Sequence, residues 1–110
     1  MAYDTELAER VRDLIESEPG LTEKRMFGGL AFLIGGTLAV SASGKGGLLV
    51  RVDPARTDAL AAEPHVEPFE MRGKAMAGWL HVHTDAVTEH DDLARWVALG
   101  VAAARAQPKT

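Results

Sequence analysis

The chain has 110 residues, 46% of them hydrophobic and 25% charged, with a formal net charge of -4 and no cysteine. This fits a single domain over residues 1–110 with one ordinary core, and it excludes disulfides, thiolate metal sites and cysteine nucleophiles. The acidic balance opposes bulk attraction to nucleic acid. With no apolar run near the ~20 residues of a membrane span and no secretory leader in MAYDTELAER, a cytoplasmic, membrane-free protein is expected.

Leu7, Val11, Leu14 and Ile15 recur at helical spacing, which predicts an amphipathic first helix. Asp4 is its expected N-cap, with Tyr3 and Ala8 as a hydrophobic staple, and Pro19-Gly20 its stop. The apolar period then changes to two over Thr22–Phe27, Leu30–Ile34, Thr37–Ala42 and Leu48–Val52. Gly35-Gly36 suits a two-residue hairpin turn, because both positions need positive φ there. Gly28-Gly29 fits a turn, a bulge or a close backbone approach. The connections are too short for parallel crossovers, so these strands must be antiparallel.

Asp53-Pro54 predicts a second helix, Asp as cap and Pro at the first helical position. Two strands follow, His65–Met71 and Ala77–His83, joined by a turn at Arg72-Gly73-Lys74. In the second, Trp79, His81 and His83 share one face. A last helix is expected from Thr88, with Asp91 completing a capping box and Leu93, Trp96, Val97, Val101 and Ala104 as its buried stripe, closed by Pro108. The order α-β-β-β-β-α-β-β-α describes an α+β fold, an antiparallel sheet with helices on one face.

Charge is unevenly distributed. Residues 1–23 hold seven acids and two bases, whereas residues 24–52 hold Lys24, Arg25, Lys45 and Arg51 and no acid. A segment of that kind is a candidate surface for an anionic partner.

No residue grouping reaches the standard of a catalytic signature. His81-x-His83 has a strand spacing that some metal sites use, with Asp85, Glu89 or His90 as a third ligand; no HExxH or facial triad accompanies it, and packing beside Trp79 is the favoured reading. The Gly44–Gly47 loop fails as a phosphate loop, because Ala39 and Gly46 stand where glycine and Ser/Thr are required. Ser17, Ser41 and Ser43 lack a nucleophile context, and Asp91-Asp92 suit a helix start. Arg25, Phe27, Phe32, Arg51, Arg72 and Lys74 mix bases with aromatics, but only 5% of residues are aromatic, and direct nucleic-acid binding is disfavoured. Catalytic, metal and cofactor residues are therefore expected to be none.

The ordered residues Lys24-Arg25-Met26-Phe27-Gly28-Gly29, Phe32, Leu48–Asp53, Phe69, Gly73-Lys74-Ala75-Met76, Leu93 and Trp96 form a more specific pattern. It resembles the N-terminal domain of the TfoX/Sxy family of bacterial competence regulators, from about Tyr3 to Ala104. The resemblance implies a secretion-chaperone-like α+β fold, a homodimer, and a non-enzymatic regulatory or protein-interaction role with a partner from the transcription apparatus. It transfers no catalytic residue. Full-length members carry a second, helical domain, so the resemblance implies a stand-alone first domain. The expected interaction surface is Arg25, Gly28, Gly29, Lys45, Arg51, Arg72 and Lys74. The alternative is a small-molecule or anion binder using the Gly44–Gly47 loop and Lys74.

Overall fold

A computed structural model of the chain describes residues 4–26, 28–44, 46–71 and 73–106. Tyr3, Phe27, Lys45, Arg72 and Pro108 lie outside the described residues. Helix α1 spans Thr5–Ile15, followed by strands β1 (Leu21–Met26), β2 (Gly29–Ile34), β3 (Thr37–Ala42) and β4 (Leu48–Arg51). Helix α2 (Thr57–Ala61), strands β5 (Val66–Met71) and β6 (Lys74–Val82) and helix α3 (His90–Ala106) complete the predicted order. The strands form one antiparallel sheet in the order β1-β2-β3-β4-β6-β5.

Local chemistry accounts for most of these elements. The Asp4 carboxylate accepts the Leu7 amide at 3.1 Å, satisfying a donor that the first turn leaves open. The helix stops at Ile15, short of Pro19, whose ring disfavours helical backbone in the residue before it. Gly35 and Gly36 take φ of 59° and 86°, so the β2–β3 turn has the left-handed backbone that a tight hairpin requires.

Three boundaries differ from expectation. The chain after Asp53 enters a 3-10 turn at Pro54–Arg56 before α2, with the Asp53 carboxylate accepting the Ala55 amide at 2.9 Å. Strand β6 begins at Lys74, paired with Met71, so Lys74 belongs to the strand rather than to the turn. The last helix starts at His90, because Thr84–Val87 forms a 3-10 turn and Thr88 has helical rather than capping backbone. Arg10 of α1 donates to the Val87 and Thr88 carbonyls at 3.0 and 3.2 Å, which ties that turn to the first helix.

All three helices cover the same sheet face. Leu7, Val11 and Ile15 of α1, Leu60 of α2, and Leu93, Trp96, Val97, Val101 and Ala104 of α3 share one core with Leu30, Phe32, Ile34, Val40, Leu48, Val50, Leu80 and Val82. The expected stripe on α3 is buried throughout, while Leu14 of α1 is only partly covered. Burial of this apolar surface is the main stabilising term, at roughly 25 cal/mol per Å².

One polar contact inside this frame carries a measurable load. Gly78 sits within β6 at φ 87°, and its amide donates to the Thr57 hydroxyl at 2.8 Å. That hydroxyl in turn donates to the Pro54 carbonyl at 3.0 Å, in a buried setting. Thr57→Val keeps the shape and leaves the Gly78 N–H without its partner. It is expected to cost about 1–3 kcal/mol, with Thr57→Ser restoring most of the loss in urea denaturation. A Thr57→Val protein as stable as wild type would refute this role.

Candidate functional site

The sheet face opposite the helices is built by the outward positions of β2, β3, β4, β5 and β6. Directly opposed residues in antiparallel strands share a face. Thus Leu33 and Leu38, Ser41 and Leu49, Arg51 and Trp79, and Leu49, His81 and Glu67 run across this side. Ala31, Ser41 and Leu49 are nevertheless buried, whereas Leu33, Leu38, Arg51, Trp79 and His81 stay half-exposed.

Arg51 is held rather than free. Its Nε donates to the Leu38 carbonyl at 3.1 Å, and its guanidinium lies 4.1 Å from the centroid of the Trp79 ring. Such a cation–π contact contributes about 0.5–2 kcal/mol, depending on desolvation. Burial pulls the Arg51 pKa below its usual value, but a guanidinium stays charged at neutral pH.

Next to this pair stand His81, His83 and Glu67. His81 Nε2 lies 2.8 Å from the Gly46 carbonyl. A carbonyl can only accept, so Nε2 carries the proton in this contact. His83 Nε2 donates to Glu67 Oε2 at 3.0 Å, and this hydrogen bond holds the Glu67 carboxyl below the usual carboxylate range. The two imidazoles meet edge to face, centroids 4.7 Å apart. One ring nitrogen from each histidine and one Glu67 oxygen all lie within 4.8 Å of one another. Sequence spacing finds the histidine pair. It does not find Glu67, which arrives from the neighbouring strand.

Of the residues expected from sequence to form one surface, Arg25 and Arg51 lie on opposite sides of the sheet. Arg25 pairs with Leu30, a core residue, and so lies on the helix-bearing side, exposed at the sheet edge. Arg51 lies on the opposite side. Gly28 forms the exposed β1–β2 turn at φ 76°, and Gly29 packs tightly behind it. Lys74 occupies the start of β6; Lys45 and Arg72 fall outside the described residues. Of the aromatics, Phe32 is fully buried in the core and offers no stacking platform.

The Gly44–Gly47 loop turns upon itself. The Gly46 amide donates to the Ser43 carbonyl and the Ser43 amide to the Gly47 carbonyl, both at 3.0 Å. The Gly46 carbonyl is directed at His81, so at that position the loop presents an oxygen to this face. A groove of about 340 Å³ lies elsewhere, between α3 and the segment after β4, lined by Val52, Pro54, Leu60, Leu99 and Ala103 among others. Among the described residues, no helix is long and apolar enough to cross a membrane.

No curated protein and no solved structure matches the chain. A family model does match, and it spans residues 13–104, most of the length and every strand of the sheet. The chain belongs to the TfoX N-terminal domain family.

Proposed function

We propose that this domain is a non-enzymatic regulatory module that binds a protein of the transcription apparatus through the helix-free face of its sheet. Regulation of DNA-uptake genes is the process that the family likeness suggests for it. The observation carrying the placement is the Arg51–Trp79 stack, half-exposed on the face that also bears Leu33 and Leu38. Arginine and tryptophan held in fixed geometry are the residue types that dominate protein interfaces. The same face would serve a homodimer, because the sheet edges oppose strand pairing: β1 carries Glu23, Lys24 and Arg25, and β5 carries Glu67, Pro68 and Glu70.

Trp79→Ala tests the proposal. Affinity capture from native cells, followed by a titration with the purified partner, should show binding by the wild type. Trp79→Ala should weaken it by about 30-fold, the effect of losing a ~2 kcal/mol hot spot. Circular dichroism should confirm that the variant remains folded. Capture of no transcription protein, or equal binding by the variant, would overturn the placement.

A further inference from the structure

We propose that Glu67, His81 and His83 form a surface site for a Zn²⁺-class cation, with the fourth coordination position open to water. The basis is the convergence of three donors from two strands. His81 and His83 stand on one side of β6 and its exit, and Glu67 is directly opposite His81 on β5. Their ligand atoms already lie within 4.8 Å of one another.

The donor set selects the metal. Two imidazoles and one carboxylate match Zn²⁺, and three protein ligands plus water is the pattern of an open zinc position. Ca²⁺ and Mg²⁺ demand mostly oxygen ligands and fit poorly. Tetrahedral bonds of 2.0–2.1 Å put ligands about 3.3 Å apart, so the present spread needs only a modest contraction. The side chains that must move can do so: His83 is 46% and Glu67 59% exposed. His81 moves least. Its Nε2–H is fixed on the Gly46 carbonyl, the second contact by which ligating histidines are usually oriented and their tautomer chosen. The glycine loop thereby acquires a task that its sequence alone does not suggest.

Binding costs the existing His83–Glu67 hydrogen bond, since the cation replaces the proton between them. The histidines must be neutral to ligate. Neither demand disturbs the core, because the whole cluster lies on the face opposite the helices.

The experiment is a titration of untagged protein with Zn²⁺ against a chromophoric chelator of micromolar affinity, alongside imidazole NMR signals. The expected result is saturation at one Zn²⁺ per chain, with shifts at His81 and His83 and none at His65 or His90. His83→Ala should weaken binding by about 100-fold, at the upper end of what losing even an outer-shell contact costs. Glu67→Gln, which keeps a neutral oxygen, should weaken it by roughly tenfold. Failure of the wild type to compete with the chelator would overturn the site. So would Zn²⁺ binding that survives intact in both variants, or shifts confined to His65 and His90.

Discussion

Trp96→Ala is expected to lower the unfolding free energy by about 3–5 kcal/mol, the range for emptying a large aromatic from a core. Trp96 is 2% exposed and among the largest buried side chains of the domain. It sits midway along α3, the helix that packs across β3 and β4, with Leu93 and Val97 beside it in the same core. Truncation leaves a cavity that neighbours on two strands cannot close without moving the sheet. A domain of this size is stable by roughly 5–15 kcal/mol, so the variant should unfold at markedly lower urea with an unchanged slope. Trp79→Ala is the internal contrast. That ring is half-exposed on the other face, and its removal should cost no more than the cation–π contact and partial burial, about 1–2 kcal/mol. Equal losses for the two tryptophans would refute the placement of Trp96 in the core and Trp79 on the open face.

The two tryptophans also show what the sequence makes legible. Trp96 lies in a helical stripe that Leu93, Val97, Val101 and Ala104 repeat, and a local period is enough to bury it. The glycine turns and Asp caps are local too, and the strands they separate follow. Features that depend on register between distant strands are less accessible. Counting back from the Met71–Lys74 pair, a regular hairpin would place Glu67 opposite Gly78; the irregularity between Pro68 and Glu70 places it opposite His81 instead. Sequence spacing therefore offers Asp85, Glu89 or His90 beside the histidine pair, whereas the fold brings Glu67 to it from the preceding strand. Positive φ at Gly78 and its bond to Thr57 belong to the same class of non-local fact.

The acid-free segment from Lys24 to Val52 teaches the complementary lesson. It is basic as a stretch of sequence, but side chains alternate across a strand. Register with β2 puts Arg25 on the helix side and Lys24 on the other, and Arg51 is spent on Trp79 and the Leu38 carbonyl. Charge counted along the chain does not become charge gathered on a surface. What does gather on the helix-free face is a mixed set, with the stacked Arg51 and the edge residue Lys24 beside two imidazoles, a carboxylate and half-exposed leucines. That mixture suits protein contact better than a phosphate backbone, whose affinity comes from several cations acting together.

Gly29→Ala is expected to destabilise the domain by about 3 kcal/mol or more, beyond the usual range for adding a methyl group to a packed site. A Cβ at Gly29 would stand 2.1 Å from the Ala42 carbonyl oxygen and 3.2 Å from the Gly44 nitrogen. Both obstacles are backbone, so relief requires the β2–β3 ladder to separate where Leu30 pairs with Ala42. Gly28 is glycine for a different reason. Its φ is 76°, and among the described residues nothing beyond its chain neighbours lies within 4 Å of an added Cβ. Gly28→Ala should therefore cost only the left-handed backbone penalty, about 1–2 kcal/mol. The adjacent glycines of the family signature thus separate into a turn requirement and a close-approach requirement, both of which the sequence allowed. Parallel urea denaturation of the two variants decides between them: Gly28→Ala proving the more damaging would show that conformation, not proximity, governs this corner of the sheet.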